Sequence, residues 1–304
     1  MEFGICVPHY GKPVEIDRIL QVARSAEELG FASVWVTDHL FVPRTLEIIY
    51  RDNMLEPLTL LSHLAAVVPR VRLGTSVIIL PYRNPIIVAK MLATIDQLSH
   101  GRLIFGAAVG WMEPEFQALK APFAERGAFS DESLRIIREI WTNGTVSHHG
   151  AFFQYEDMQA SPRPVQQPAP PIWIGGNSAR ARRRVAELGD GWHASGLNAA
   201  AMAPGCAHLR TLWEQAGRPG QPTLSARVDL ALDGVSKAVL SYPPRPGRPT
   251  RIPMHGSVGA VVDAIGAFQE IGVEHLVFET STQSHDSALA TMEAFMQHVC
   301  PQVT

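Results

Sequence analysis

The feature that most constrains the fold is a regular alternation of short apolar runs with longer amphipathic stretches. Several runs are continuously apolar, as expected for strands that are buried on both faces of a parallel sheet. Each run is followed by a stretch with helical spacing. Eight such pairs along the chain predict parallel strands joined by crossover helices.

The predicted strands differ in length but keep their order along the chain. They cover residues 3–7, 33–37, 71–80, 102–107, 171–174, 191–194, 224–232 and 275–279. A doubly wound open sheet can be built from the same units, but eight repeats in 304 residues favour a closed barrel. We therefore predict one α/β domain over residues 1–304, a (β/α)8 TIM barrel with insertions at its C-terminal mouth.

Three segments interrupt the repeat, at residues 110–126, 144–167 and 234–253. The second contains alternating residues typical of a small hairpin, and the third is rich in Pro, Gly and Arg, as loops are. Long loops at barrel strand ends often form lids or substrate walls, although a tolerated surface insertion would look the same.

Composition restricts the kind of partner. A hydrophobic fraction of 46% supports a large core, and a net charge of −3 gives no reason to expect nucleic acid. The three cysteines are widely spaced, and His148–His149 has no third ligand at metal spacing, so we expect reduced thiols and no metal. With no signal peptide or membrane span apparent, we predict a cytoplasmic protein acting on a small-molecule substrate.

Candidate site residues follow from the rule that barrel active sites lie where strands end at the C-terminal face. The second strand ends at Asp38–His39. A histidine there can exchange a proton near neutral pH, and Asp38 could orient its ring or bond a cofactor edge. A capped loop remains the alternative interpretation of this pair.

The third and fourth strands carry unusually small or polar residues. Gly74, Thr75 and Ser76 interrupt an apolar strand, and a strand glycine often marks a bulge or a close approach to a ligand. After the fourth strand, Val109–Gly110 leaves room for a planar ring and Glu113 supplies an acceptor at the rim. Close packing at the mouth would explain the same residues.

The segment Gly175–Gly176–Asn177 leads from the fifth strand into a helix that carries Arg180 in its first turn. Glycine backbone and the amides of a helix start bind phosphate well. Three more arginines follow, Arg182, Arg183 and Arg184. Positive charge near a helix start costs roughly 0.3–1 kcal/mol per residue, which a bound anion would offset. A solvated basic face is the alternative.

Taken together, these motifs resemble the luciferase-like monooxygenase superfamily, and GWMEPEF, PFAERG and DE resemble its coenzyme F420-dependent branch. The motifs that carry the resemblance are FGICVP, GFASVWVTDHL, RVRLGTSVIILPYRNPIIVAK, GRLIFGAAVGW, PIWIGG, AELGDGW and GVEHLVF. They extend over nearly the full chain.

The resemblance implies roles at matching positions. It places a deazaflavin contact on Asp38 and the acid/base function on His39. It maps a non-prolyl cis peptide behind the ring to Ser76–Val77, the phosphate segment to Gly175, Gly176 and Asn177, and the ring pocket to Val109, Gly110 and Glu113. It also implies a homodimer that pairs through the second and third helices.

The cofactor and reaction follow from the same resemblance. FMN enzymes of the superfamily can carry an arginine after the fourth strand, which Val109–Gly110–Trp111 lacks. This favours F420, whose anionic tail would suit Arg180 and its neighbours. We predict hydride transfer between F420 and an organic substrate. An FMN-dependent monooxygenase, a non-catalytic flavin or deazaflavin binder and an unrelated barrel hydrolase or aldolase are the alternatives.

Overall fold

The computed structural model describes residues 1–11, 14–44, 54–236, 251–279 and 283–303. Its strands are β1 Glu2–Cys6, β2 Ser33–Val36, β3 Arg72–Thr75, β4 Ile78–Ile79, β5 Leu103–Ala108, β6 Thr145–His149, β7 Gln154–Gln159, β8 Ile172–Gly175, β9 Gly191–Ser195, β10 Thr223–Leu232, β11 Met254–Gly256 and β12 His275–Glu279. Its helices are α1 Ile16–Leu29, α2 Pro57–Val67, α3 Pro85–Leu98, α4 Glu113–Ala118, α5 Arg126–Thr142, α6 Ala179–Leu188, α7 Ala199–Gln215, α8 Val258–Glu270 and α9 His285–Ala294.

Eight of the strands form a closed parallel barrel in the order β1, β2, β3, β5, β8, β9, β10 and β12. The ring closes because β12 also pairs with β1, where Phe3 lies opposite Leu276. The predicted (β/α)8 barrel is therefore confirmed, and the open-sheet alternative is wrong because no edge strand interrupts this ring of described strands.

Local sequence signals set the helix boundaries. Helix α1 ends at Gly30, whose φ of 91° lies in the left-handed region that glycine tolerates. Several helices begin at a Ser or Asn side chain that accepts a backbone amide of the first turn, which satisfies one otherwise unpaired donor. These N-cap residues are Asn84, Ser178, Asn198, Ser257 and Ser284.

Alternation along the strands separates two apolar regions. Ile5 and Val34 belong to the large core between strands and helices, whereas Trp35 and Trp173 belong to a separate cluster that fills the barrel interior. A Cβ on Gly74 would lie 2.2 Å from the Trp35 ring. The close approach predicted at Gly74 is therefore made to an indole inside the barrel.

The structure refines several predicted boundaries. The strand predicted over residues 71–80 is divided into β3 and β4, and the insertion at 110–126 contains the helix α4. The predicted hairpin is confirmed as the antiparallel pair β6–β7. The last helix, α9, stops at Ala294 and continues as a π-helical turn. Of the insertion at 234–253, residues 237–250 lie outside the described residues.

None of the described helices is long and apolar enough to cross a membrane. Within the same described ranges, no three His, Cys, Asp or Glu side chains are arranged to hold a metal ion.

Candidate active site at the barrel mouth

The segment that follows β2 places His39 at the mouth, where the side chain is 6% exposed. Its Nδ1 lies 2.7 Å from Oε2 of Glu115, a residue of α4. Trp111 meets the imidazole edge-on, with ring centroids 6.1 Å apart. An imidazole held by a carboxylate on one nitrogen is a suitable arrangement for proton transfer at the other.

Glu115 is fully buried and gathers donors from three directions. Its Oε2, which bonds His39, also accepts a hydrogen bond from the Tyr82 hydroxyl at 2.8 Å. Its Oε1 accepts the backbone amides of Leu40 at 2.5 Å and of Phe41 at 3.0 Å. Burial raises the pKa of this carboxyl, but the hydrogen bonds from His39 and the two amides outweigh it, so the pKa is lowered. Glu115 is therefore ionised at neutral pH.

Sequence reasoning chose Glu113 in this insertion and missed Glu115. The structure places Glu113 at the exposed start of α4 and Glu115 on the buried side of the same helix. A weak signal was present, because Glu115 lies next to the apolar Phe116, which is expected on the buried side of an amphipathic helix.

Asp38 is buried, and its contacts differ from those of a ring-orienting acid. Its two oxygens accept both terminal nitrogens of Arg83, at 2.6 and 2.9 Å, and one of them also accepts the Ile79 amide at 2.9 Å. Arg83 continues to Glu56, the N-cap residue of α2. These contacts fix the segment after β2 against the start of α3, and the acid on the His39 ring is Glu115.

The junction between β3 and β4 lies beside this segment. The peptide bond between Ser76 and Val77 is cis, at the position that the family resemblance implied. The Thr75 hydroxyl donates to the carbonyl of Gly106 at 2.8 Å and accepts the amide of the same residue, so the side chain continues the β3–β5 pairing. Thr75 is thus engaged with β5.

Ser76 is tied to the barrel interior. Its hydroxyl hydrogen-bonds Nε2 of His193 at 2.7 Å, and its carbonyl accepts Nη1 of Arg227 at 2.9 Å. Arg227 also pairs with Glu279, which accepts the Tyr10 hydroxyl at 2.8 Å. The chain after β1, the middle of β10 and the end of β12 therefore meet in one buried polar cluster.

Sequence reasoning missed this cluster of Arg227, Glu279 and Tyr10. Burial lowers the pKa of Arg227, but the adjacent Glu279 carboxylate more than offsets this, so the pKa lies well above its ordinary value. A signal was present, because Arg227 and Glu279 are charged residues in strands that are mainly apolar and buried.

Two other histidines near the mouth are neutral. Burial lowers the pKa of His9 to about 4, and burial together with Arg227 and His275 lowers that of His193 to about 3. His9 accepts the Thr37 amide on Nε2 at 2.8 Å, and His193 stacks on Trp35 with ring centroids 5.1 Å apart. Both rings therefore fix neighbouring groups.

The residues that follow β5 are half-buried at the mouth. Gly110 has a φ of +77°, and a Cβ there would lie 2.6 Å from Ile79 and 2.8 Å from Phe116. The close-packing interpretation therefore accounts for Gly110. Val109 is half-buried beside it.

The segment after β8 leads directly into α6. Gly175 is buried, Gly176 is exposed with a φ of +106°, and Asn177 hydrogen-bonds the backbone of Ser195 in both directions. Ser178 caps α6 by accepting the Ala181 amide at 3.2 Å. The exposed start of this helix presents backbone amides to any ligand at the mouth.

The four arginines of α6 divide into two kinds. Arg182 donates to the Asn177 carbonyl at 2.9 Å and lies over the Trp192 ring, and Arg184 pairs with Asp131 on α5. Arg180 and Arg183 are exposed. Packing therefore accounts for two of the charges, and Arg180 remains as the candidate ligand for an anion at the helix start.

Comparison with known proteins agrees with this architecture. Residues 1–242 match the family model described as luciferase-like monooxygenase. The chain belongs to this family. Relatives of this luciferase-like barrel include an uncharacterised Mycobacterium tuberculosis protein, 27% identical over 283 residues, which are 89% of this chain and 90% of its own length.

Two further similarities bear on the cofactor. An FMNH2-dependent dimethylsulfone monooxygenase of Pseudomonas putida is 34% identical over 148 residues, 48% of this chain and 40% of that protein. An F420-dependent secondary alcohol dehydrogenase, solved with an F420–acetone adduct, superposes with a TM-score of 0.83 at 17% identity, covering 100% of this chain and 99% of its own. The second similarity is one of fold. Proteins of both cofactor types are therefore similar to this chain, the FMNH2-dependent one in sequence and the F420-dependent one in fold.

The residues at this mouth fit a planar cofactor with a phosphorylated tail. A Cβ on Gly106 would lie 1.8 Å from the Thr75 carbonyl, and one on Gly175 would lie 3.0 Å from the Val77 side chain. Glycine at both positions keeps Val77 close to the wall formed by β5 and β8. Beside that wall, the start of α6 supplies amides for a phosphate.

Proposed function

We propose that this luciferase-like barrel is an F420-dependent oxidoreductase that transfers a hydride between the deazaflavin and a small organic substrate. The observation that carries the proposal is the His39–Glu115 pair at the mouth, held 2.7 Å apart beside the β3–β4 junction. Hydride transfer to or from a carbonyl or imine carbon is accompanied by a proton, and a positioned histidine can supply or remove it.

In this proposal, separate residues of the chain bind the cofactor, transfer the proton and position the acid/base residue. The amides around Gly175, Gly176 and Asn177, together with Arg180, would hold the phosphate of the cofactor, and Val77 and Val109 would line the pocket for its ring. F420, when bound, supplies the carbon that gives or accepts the hydride. His39 holds or releases the proton, while Asp38 keeps the segment after β2 in place through Arg83 and Ile79.

The test is a fluorescence titration of the cofactor-free protein with F420 and with FMN. We expect tighter binding of F420, and we expect Arg180→Ala to weaken it. His39→Ala should keep binding but lower turnover by about 10²- to 10⁴-fold, the usual contribution of a positioned acid or base. FMN binding in the micromolar range without F420 binding would reverse the cofactor assignment. Tight binding that is insensitive to His39→Ala and gives no turnover would indicate a non-catalytic binder.

An FMN-dependent monooxygenase is the second candidate, because a relative that is 34% identical over 148 residues is named an FMNH2-dependent enzyme. This candidate predicts oxygen consumption when reduced FMN is supplied by a separate reductase. F420-linked turnover without oxygen uptake would exclude it.

Pairing of two copies through α2 and α3 is also proposed. Ile86, Ile87 and Leu98 on α3 are 39%, 58% and 55% exposed and would supply apolar surface to such a pairing. Replacing Ile87 with Lys should shift the protein from dimer to monomer in analytical ultracentrifugation, whereas a monomeric wild type would contradict the pairing.

A further inference from the structure

The short helix α4 fixes one carboxylate against the segment after β2. Phe116, the neighbour of Glu115, packs edge-on against Tyr82 with ring centroids 4.8 Å apart and meets Phe123 at 5.1 Å. Ile79 belongs to the same apolar cluster. The helix is therefore anchored on the chain that follows β4, and its buried side points Glu115 at His39.

The chemistry of the contact assigns the protons on the ring. An ionised carboxylate only accepts hydrogen bonds, so Nδ1 of His39 must carry the hydrogen that Glu115 receives. Nε2 is then the nitrogen that changes its protonation during a reaction. A second tautomer would place a lone pair against the carboxylate at 2.7 Å, which is repulsive.

The same carboxylate also holds the backbone that carries the ring. Its Oε1 accepts the amides of Leu40 and Phe41, the two residues after His39. One buried carboxylate therefore holds both the His39 ring and the backbone that carries it. Two other described acids near this segment, Asp38 and Glu56, contact Arg83.

We infer that Glu115 is the positioning residue for proton transfer at His39: it selects the Nδ1–H tautomer and stabilises the imidazolium, with Tyr82 moderating the carboxylate. The inference rests on the proposed function for its catalytic consequence. Its tautomer consequence holds in the protein without any cofactor.

The charged and titratable groups around the pair determine the expected signs. Among the contacts of the described residues, Glu115 bonds the ring and the Tyr82 hydroxyl, while Asp38 and Glu56 bond Arg83. Removing the anion with Glu115→Gln disfavours the imidazolium, so the limb of the rate profile that reports His39 protonation should move to lower pH. Removing a donor with Tyr82→Phe makes the carboxylate a stronger acceptor, so that limb should move to higher pH.

The first measurement is the imidazole nitrogen NMR of cofactor-free protein, with His39 assigned by comparison with His39→Ala. The wild type should show the Nδ1–H tautomer and Glu115→Gln a mixture, whereas Glu125→Gln should match the wild type. Glu125 is a matched control because it is an exposed acid in the same insertion whose side chain makes no cap hydrogen bond. A wild type with the hydrogen on Nε2 would overturn the inference.

The second measurement is steady-state kinetics with the cofactor that the titration selects. Glu115→Gln should lower kcat by about 10- to 100-fold and leave cofactor affinity within about twofold. If Glu115→Gln left the NMR shifts unchanged and kcat within about threefold of wild type, Glu115 would only hold the segment after β2 in place, and the inference would be wrong.

The two proposals fail separately. Failure of the wild type to bind or turn over with F420 or FMN would refute the proposed function, while the NMR still decides the tautomer. If Glu115→Gln does not fold, the pH profile of Tyr82→Phe tests the inference instead, because this substitution keeps the aromatic packing on Phe116. An unmoved or acid-shifted limb in Tyr82→Phe would then count against the inference.

Discussion

The buried pair of Arg227 and Glu279 allows a quantitative test of how the barrel mouth is stabilised. Glu279 is 1% exposed and Arg227 7% exposed, so neither charge can be solvated if its partner is lost. Glu279→Gln removes the anion but leaves the guanidinium in place, with the Ser76 carbonyl at 2.9 Å and the Tyr10 hydroxyl at 3.0 Å among its remaining acceptors. Breaking a buried pair from one side costs about 3–5 kcal/mol, and we expect the lower end because glutamine keeps an oxygen acceptor.

The expected change in melting temperature follows from the size of the chain. An unfolding entropy of roughly 2.1 cal/mol/K per residue gives about 0.6 kcal/mol/K for a chain of this length, so a loss of about 3 kcal/mol lowers Tm by about 5 °C. Differential scanning calorimetry of Glu279→Gln measures this directly.

A double variant separates lost charge from lost packing. Arg227→Met combined with Glu279→Leu removes both charges and should be more stable than Glu279→Gln alone, because no unpaired ion stays buried. A Tm for Glu279→Gln within about 1 °C of wild type would refute the reasoning. So would a double variant that melts below the single one.

Three further predictions concern other parts of the barrel. Gly74→Ala places a Cβ 2.2 Å from an indole ring and should cost about 1–3 kcal/mol, whereas Gly144→Ala, with nothing within 4 Å, should leave Tm unchanged in the same calorimeter. Burial lowers the pKa of His193 to about 3 in the folded state, so the unfolded chain binds more protons between that value and its ordinary pKa of about 6.5. The free energy of unfolding should therefore fall as the pH drops through this window, by up to roughly 1.4 kcal/mol per pH unit for this group. Urea titrations at pH 7 and pH 5 should show that the free energy of unfolding depends less on pH in His193→Gln than in the wild type. Arg184→Ala breaks the ion pair with Asp131 on α5 and should lower Tm. Arg180→Ala should weaken cofactor binding without changing Tm. Equal effects of the two substitutions on Tm would contradict a structural role for Arg184 and a binding role for Arg180.

Much of the fold could be predicted from local patterns, since strand and helix periodicity depend on neighbouring residues only. The predicted bounds of β12 agree with the structure. The division of residues 71–80 into β3 and β4 could not be derived from periodicity, because it depends on Thr75 reaching Gly106, which is 31 positions away.

By itself, the sequence determined that this chain builds eight βα units and that His39 stands at a strand end, because strand ends of parallel barrels meet at one face. Only the tertiary structure decided which acid serves that histidine. Asp38 is its chain neighbour, yet Asp38 pairs with Arg83, and the partner of His39 is Glu115, 76 positions away. Likewise Arg227 and Glu279 become a pair only because barrel closure sets β10 beside β12. Periodicity fixes which side of a strand a residue faces, whereas the identity of its contacts depends on how distant strands and insertions pack.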